Sequence, residues 1–212
     1  LLITVGPLLV GLSVSLALLG SAVGALIAGP LSDRHGRIRA MLVAATLFTV
    51  SAIGSGLPLS IWDFILWRVL GGIGVGMASA VAPAYIAEVS PAHLRGRLGS
   101  LQQLAIVTGI FVALLANYFI VRAAGSAESP FWGGAAAWKW MFWLETPAAL
   151  LYGAAALLIP ESPRYLAAIG RTDEARRVLS RILGAQAAGD KLEEIREKST
   201  RDHKPRFSDL RG

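Results

Sequence analysis

The sequence predicts an all-α fold: a polytopic membrane helix bundle followed by short amphipathic cytoplasmic helices. Of the 212 residues, 54% are hydrophobic and only 16% are charged, and the mean hydropathy is +0.57. These values lie far from those of a soluble domain. The charges are also uneven, since residues 161–212 hold 12 of the 20 Lys/Arg and 9 of the 14 Asp/Glu. A lipid-facing part, residues 1–160, therefore precedes a water-facing part.

The apolar residues of this first part fall into separate stretches. A membrane-spanning helix needs ~20 predominantly apolar residues. Five stretches reach about this length: 9–31, 39–58, 64–88, 98–121 and 139–159. We therefore expect five transmembrane helices in residues 1–160.

The connections between these stretches differ in charge. Connections 33–39 and 90–97 contain five arginines, whereas 57–63 and 122–138 contain only Arg122 as a basic residue. Because cytoplasmic loops carry the excess of Lys and Arg, the first stretch is expected to start outside, and the chain after residue 160 is expected in the cytoplasm. The tryptophans near the other ends then lie at the outer interface, where indole rings prefer to sit: Trp62, Trp132, Trp138 and Trp140.

Small residues recur every four positions in two of the stretches. Gly20, Gly24 and Ala28 do so in the first, and Gly72 and Gly76 in the third. Small residues at this spacing let helix backbones approach closely within a membrane. These two helices are predicted to pack against other helices.

The polar tail predicts short soluble helices. Ser162 followed by proline is a cap and helix start, and Gly170 is a stop. A second helix with acids in its first turn follows, and Asp190 is a candidate cap for a third. We therefore expect a cytoplasmic helical domain at 161–200 and a linker at 201–212.

Composition and spacing exclude several classes of site. The chain has no cysteine, which excludes disulfides, zinc–thiolate sites and thiol catalysis. None of the three histidines has metal-ligand spacing, and no nucleophile-and-base pair or phosphate loop is present. The pI of about 10.2 reflects basic flanks of apolar segments, not a nucleic-acid patch. We therefore predict no enzyme, no metal, no cofactor and no nucleic-acid partner.

The residues Gly29-Pro-Leu-Ser-Asp-Arg-His-Gly-Arg37 join the first two stretches. Charge alone favours a topology-setting basic loop, while an acid among arginines can also clamp helix ends through contacts that break when the bundle moves. The spacing resembles the signature loop of the major facilitator superfamily. That resemblance implies that Asp33, Arg34, Gly36 and Arg37 are gate elements.

Further motifs narrow the resemblance to one family of that superfamily. One motif is similar to the sugar porter signature in the order of its residues: Arg68, Gly72, Gly74, Gly76, Tyr85, Glu88 and Arg95. A second motif of the family is similar to Pro160-Glu-Ser-Pro-Arg164. The resemblance runs from about residue 11 to 210. It implies the amino-terminal half of a major facilitator fold, with the first helix absent. Residue 1 is Leu, so we expect the chain to be cut at its front end.

The resemblance also implies roles for individual charged residues. Arg68 resembles the partner of a carboxylate on the first helix in proton-coupled sugar porters, although its place near the outer end also allows it to snorkel to the interface. Glu88 resembles a gate residue that meets arginines of both halves, and its alternative is an interfacial carboxylate. The remaining gate candidates come from the same motifs: Arg95, Glu161 and Arg164.

Gln102 and Gln103 are polar residues in an otherwise apolar fourth stretch. An uncharged amide both donates and accepts hydrogen bonds, which suits sugar hydroxyls; a bond between helices is the equal alternative on polarity alone. In sugar porters, a glutamine in a similar Gln-Leu-Ala-Ile run contacts sugar, and Gln103 matches it. Ile106 and Ile110 follow one and two turns later, so these residues and Gln102 are candidate substrate contacts.

The predicted function is sugar translocation in the cell membrane by alternating access, either as proton symport or as facilitated diffusion. The partners are then a small sugar, a proton in the case of symport, the lipid bilayer and a carboxy-terminal half that transport requires. Two alternatives stay open: a transporter of another solute class, and a non-transporting membrane sensor or truncated product.

Overall fold

The computed structural model describes residues 7–91, 93–184, 188–189 and 191–195. The described residues form eight named α-helices: α1 Pro7–His35, α2 Arg37–Gly56, α3 Ile61–Val89, α4 Arg95–Ala124, α5 Ala137–Trp143, α6 Glu145–Leu158, α7 Pro163–Ala168 and α8 Thr172–Leu183. Residues 188–189 and 191–195 are helical as well. The predicted cap at Asp190 and the predicted linker at 201–212 lie outside the described residues.

The five predicted membrane helices are confirmed by length and composition. Helices α1 to α4 and the α5–α6 pair each supply one apolar span long enough to cross a membrane. The first connection is shorter than predicted, because α1 continues to His35 and α2 begins at Arg37. Gly36 alone separates them, with a φ of +97° that L side chains rarely adopt. The expected 33–39 loop is therefore a one-residue break.

The fifth stretch forms two helices instead of one. Helix α5 ends at Trp143, Leu144 is a turn residue, and α6 begins at Glu145. Pro147 has no N–H to bond the carbonyl four residues earlier, and proline is tolerated in the first turn of a helix. The break therefore falls just before Pro147.

Helices α1 and α3, both predicted to pack closely against other helices, pack against each other through their glycines. A side chain at Gly24 would collide with the backbone of Ile73, and one at Gly76 would collide with the backbone of Ser21. Such close approach maximises van der Waals contact between backbones where lipid offers no hydrophobic drive. These two helices form the tightest seam of the bundle.

The remaining spans pack around this seam unequally. The core cluster includes Ala28, Met41, Met77, Val81 and residues of α6, so α1, α2, α3 and α6 enclose it. Helix α4 has no buried residue. Most of the α4 surface is therefore open to another helix, to lipid or to substrate.

The tail packs as a separate small cluster. Leu166 of α7 packs with Ala175 and Leu179 of α8. The hydroxyl of Ser162 accepts a hydrogen bond from the Tyr165 N–H, as the predicted cap requires, and Gly170 has a positive φ at the end of the helix. The amphipathic helices predicted here are therefore present.

An aromatic group covers the end of the bundle opposite the tail. Trp132 stacks on Trp140 with ring centroids 5.7 Å apart, and the Trp140 indole N–H donates to the Trp132 carbonyl at 3.0 Å. Trp138 meets Phe142 edge to face. The predicted tryptophans of α5 and its preceding loop thus share one end of the bundle.

Candidate functional site

A group of polar side chains, most of them buried or half-buried, surrounds Arg37 where α1 ends and α2 begins. We call it the Arg37 cluster, and its members come from four segments of the chain: Ser32, Asp33, Arg37, Glu88, Glu161 and Ser162. The Arg37 guanidinium donates to the Ser32 hydroxyl at 2.7 Å and to Asp33 Oδ1 at 2.6 Å. It also donates to both oxygens of Glu88, at 2.8 and 3.2 Å. This bidentate pair is a strong, charge-assisted contact between α2 and α3.

The Arg37–Glu88 pair differs from the Arg37–Asp33 pair in burial. The side chains of Arg37 and Glu88 are 10% and 11% exposed, whereas that of Asp33 is 71% exposed. Solvent screens the second pair and leaves it little net stabilisation. Removing either partner of the first would leave a buried charge unpaired, which is strongly destabilising.

Glu161 adds a cap to α2 from a distant part of the chain. Its carboxylate accepts hydrogen bonds from the backbone N–H groups of Arg37 at 2.9 Å and Ile38 at 3.3 Å. The residue before the helix, Gly36, has no side chain to do so. A side chain at Gly36 would also collide with Glu161 and with the Tyr165 ring. The glycine therefore admits the carboxylate to the positive end of the helix.

Residues 160–162 are tied to α3 by two further contacts. The fully buried Ser162 hydroxyl donates to Glu88 Oε2 at 2.5 Å, and the Tyr85 hydroxyl donates to the Pro160 carbonyl at 2.8 Å. Because Ser162 also caps α7, the tail is coupled to the Arg37 cluster. Movement of α7 would disturb the ion pair between α2 and α3.

The structure brings four of the predicted gate residues together. Asp33, Glu88 and Glu161 each accept a hydrogen bond from Arg37, and Gly36 precedes it in the chain. The side chains of three further predicted gate residues are exposed: Arg34, Arg95 and Arg164. The Arg34 carbonyl accepts from the Tyr165 hydroxyl at 3.5 Å. Sequence reasoning missed Ser32 and Ser162 as cluster members.

The candidate sugar contacts lie on α4. Gln103 is exposed, and Ile106 and Ile110 are 47% and 57% exposed. They follow at three and seven residues, so they share one helix face. Gln102 lies about 100° around the helix from Gln103, on the same face as Gly109 and Ala113. The two amides therefore point to different sides of α4.

A cavity of about 640 Å³ lies between α4 and helices α2, α3, α5 and α6. Its wall is mostly apolar and includes Gly109 and Ala113 of α4. Its polar side chains are Asn117, Glu145 and Tyr152. The Tyr152 hydroxyl is buried and has no hydrogen-bond partner among the described residues. The cavity is thus an apolar space with a few fixed polar groups, as expected for a ligand or helix-packing site.

Arg68 interacts with one residue of the cavity wall, Glu145. Its guanidinium is 5.6 Å from the centroid of the Phe142 ring, and it interacts electrostatically with Glu145. Within the described residues it forms no salt bridge. Sequence reasoning missed Glu145, although a carboxylate inside an apolar stretch is itself a signal of function. The Phe142 ring and the Glu145 carboxylate, three residues apart, thus lie near one cation.

No metal site is apparent in the part of the chain that the structure describes. No group of three or more His, Asp or Glu residues there is arranged to hold a metal ion.

Comparisons with known proteins place the chain among transporters. The family model described as "Sugar (and other) transporter" matches residues 6–210. The "Glucose transport protein" of Synechocystis sp. is 67% identical over 204 residues, which are 96% of this chain and 43% of that protein. The "D-xylose-proton symporter" of Escherichia coli K12 is 36% identical over 213 residues, covering 92% of this chain and 42% of that protein.

A solved structure agrees with these sequence matches. The major facilitator superfamily proton:xylose symporter XylE, bound to 6-bromo-6-deoxy-D-glucose, superposes with a TM-score of 0.84 at 35% identity. The match covers 91% of this chain and 44% of that one. The chain therefore spans less than half the length of the relatives it matches. All of these relatives are transporters, in agreement with the prediction that the chain is not an enzyme.

Proposed function

This chain belongs to the sugar transporter family of the major facilitator superfamily, and from that premise we propose that it takes part in sugar transport by alternating access, as a proton symporter. The relatives named above carry glucose or xylose, and a further one, 39% identical, is an arabinose–proton symporter. Their names favour sugar over another solute class, and transport over a sensor or truncated product. Because the chain matches less than half of each relative, a second helical bundle is the partner that completes the pathway.

The observation that carries this proposal is the Arg37 cluster. Alternating access requires contacts at one end of the bundle that are strong enough to close it and few enough to break together. The cluster fits this requirement, because one guanidinium and three carboxylates join α1, α2, α3 and the segment that leads into α7. In our proposal it is the cytoplasmic gate, with α7 and α8 on the cytoplasmic side of the cell membrane. Arg34, Arg95 and Arg164 lie at the same end, where a second bundle would meet them.

We assign sugar contact to the α4 face of Gln103, Ile106 and Ile110, with Gln102 on the neighbouring face. An amide can both donate to and accept from a hydroxyl, and the isoleucines supply apolar surface for the carbon skeleton. The open position of α4 supports this assignment, since a wall of a shared cavity must remain uncovered within its own bundle.

We assign proton coupling to Arg68 together with Glu145. A carboxylate beside an arginine changes its charge interaction when it takes up a proton. Neutralising Glu145 would release Arg68, and such a change can bias a two-state bundle. An ionisable pair within a membrane span is a functional candidate, and the proton symporters among the relatives support symport over facilitated diffusion.

The proposal is tested by sugar uptake into proteoliposomes that contain the protein encoded by the full reading frame. A pH gradient should drive saturable accumulation of a labelled hexose or pentose. Gln103→Ala should weaken sugar affinity about tenfold or more, because an unmet hydrogen bond costs roughly 1 to 3 kcal/mol. Gln102→Ala, on the neighbouring face, should weaken affinity less than Gln103→Ala does. Unchanged affinity in the Gln103 variant would remove it from the site.

A second variant separates binding from coupling. Arg68→Ala should abolish accumulation driven by a pH gradient, while sugar exchange at equal pH persists. Normal accumulation would show that Arg68 only reaches toward the interface. Absence of uptake of any sugar by the unmodified protein would refute the proposed function as a whole.

A further inference from the structure

Trp132 is an exposed aromatic residue at the end of the bundle opposite the tail. It belongs to the loop of residues 125–136, which joins α4 to α5 and which we call the Trp132 loop. The residue is 75% exposed, although an indole is one of the largest apolar side chains. Trp62, at the same end, is 66% exposed. Exposure alone therefore does not distinguish Trp132 from a tryptophan of the membrane interface.

The fixed plane of the Trp132 ring does distinguish it. The ring stacks on Trp140 at an interplanar angle of 19°, and the Trp132 carbonyl accepts a hydrogen bond from the Trp140 indole N–H at 3.0 Å. Trp140 is held in turn by edge-to-face contacts with Phe131 at 6.3 Å and Trp143 at 5.2 Å. Trp132 therefore has one face covered by Trp140 and presents the other at a defined angle. An anchor in the lipid interface does not require such a fixed ring.

The backbone of the Trp132 loop keeps the ring accessible. Pro130 and Ala136 form an antiparallel bridge that closes the base of the loop. Gly133 and Gly134 form its tip with φ values of +66° and +77°, which L side chains rarely adopt. A Cβ atom at either glycine would meet no other atom within 4 Å. The two residues that follow Trp132 thus have no side chains that could cover its ring.

The polar groups of the Trp132 loop favour a neutral polyol over a lipid headgroup. Between Arg122 and Lys139 the only charged residue is Glu128, so anionic headgroups would be repelled by the loop. The side chain of Glu128 is exposed. The hydroxyls of Ser126 and Ser129 lie 2.8 Å apart. Hydroxyls and a carboxylate are groups that hydrogen-bond to sugar hydroxyls.

We propose that the Trp132 loop is a docking site for free sugar at the outer mouth of the transporter, where one face of the sugar ring stacks on the open face of the Trp132 indole. The inference rests on the proposed sugar transport and on the proposed orientation of the chain. A cyclic sugar has an apolar face of C–H groups, whose partial positive charge suits the negative face of an aromatic ring. Because the site is open on one side, binding is expected to be weak and rapidly reversible.

The test is fluorine NMR of the full-length protein, labelled with fluorotryptophan, placed in lipid nanodiscs and titrated with D-glucose. The resonances of Trp132 and Trp62 are identified by their absence in Trp132→Phe and Trp62→Phe. We expect a saturable shift of the Trp132 resonance and no shift of the Trp62 resonance, because Trp62 has no ring contact in the described part of the chain that would fix its plane. Sorbitol, an open-chain polyol without a ring face, should produce a much smaller shift of the Trp132 resonance at equal concentration.

Two variants separate this site from the proposed contacts on α4 and test the fixed ring. Gln103→Ala should leave the half-saturating glucose concentration of the Trp132 shift within about twofold, because the two sites share no residue. Trp140→Leu removes both contacts that fix the Trp132 ring. It should raise that concentration about 2- to 12-fold, the factor that corresponds to typical aromatic pair energies. An unchanged value in Trp140→Leu would refute the role of the fixed ring.

Other results would overturn the inference, and they differ from failure of the proposed function. If the protein transports sugar but glucose does not shift the Trp132 resonance, the docking site is refuted and the proposed function stands. Broadening of that unresponsive resonance by a spin-labelled lipid would identify Trp132 as an anchor in the lipid interface. Loss of the shift in Gln103→Ala would show that Trp132 only reports a conformational change of the central pathway. Equal shifts with glucose and sorbitol would exclude stacking of a sugar ring.

Discussion

Replacing Glu161 by alanine tests how the tail and the membrane bundle hold each other. The Glu161 carboxylate accepts three backbone hydrogen bonds, from Arg37, Ile38 and Ser162. The first two come from the free N–H groups at the start of α2, which Gly36 cannot satisfy. Glu161→Ala should therefore loosen the first turn of α2.

The size of the effect follows from measured capping energies. Loss of a helix N-cap costs about 0.5 to 2 kcal/mol, and a carboxylate near a helix N-terminus contributes about 0.3 to 1 kcal/mol more. Partial exposure of Glu161 favours the lower part of the combined range, about 1 to 2 kcal/mol. That corresponds to about a 5- to 30-fold increase in the local opening equilibrium.

Amide hydrogen exchange of the protein in lipid nanodiscs measures this opening directly. Exchange of residues 37–41 should accelerate by that factor in Glu161→Ala. Glu174→Ala is the control, since it removes an exposed carboxylate of α8 that pairs with Arg171 and contributes little. Unchanged protection at 37–41 in Glu161→Ala, or an equal change in both variants, would show that Glu161 does not cap α2.

Three further predictions concern the backbone and the topology. Gly36→Ala should cost about 1 to 3 kcal/mol, seen as a lower thermal midpoint, because position 36 has φ +97°; an unchanged midpoint would contradict this. Gly24→Leu should destabilise the bundle by at least about 1 to 3 kcal/mol and lower its thermal midpoint. Gly11→Leu is the control, because Gly11 has open space around it. Equal thermal midpoints for the two variants would argue against the α1–α3 seam. In intact cells, an impermeant thiol reagent should label Ser126→Cys but not His93→Cys, and the reverse would invert the proposed orientation.

Several features were predictable from the sequence because they depend on local composition. The five membrane spans follow from apolar stretch length, since each helix must cross the same bilayer thickness. The caps at Ser162 and Gly170 follow from side-chain and backbone properties of single residues. Close packing of α1 and α3 against neighbouring helices follows from glycine spacing, because only small residues permit such close approach; that the two pack against each other does not.

Long-range contacts were only partly predictable. Resemblance to a known family selected Asp33, Arg37, Glu88 and Glu161, yet it assigned them only a shared role. Their geometry joins residues as far as 124 positions apart. No local pattern specifies such a pairing, because it depends on how four helices are placed relative to one another.

The sequence by itself determined the helical class, the number of spans and the location of the charged motifs, because each of these depends on the composition of a short segment. The tertiary structure decided that Glu161 caps α2 and that Ser162 bonds Glu88. It also decided that Arg68 lies beside Phe142 and Glu145. These contacts arise when separate helices pack, since the direction of a side chain is set by the rotation and depth of its helix in the bundle.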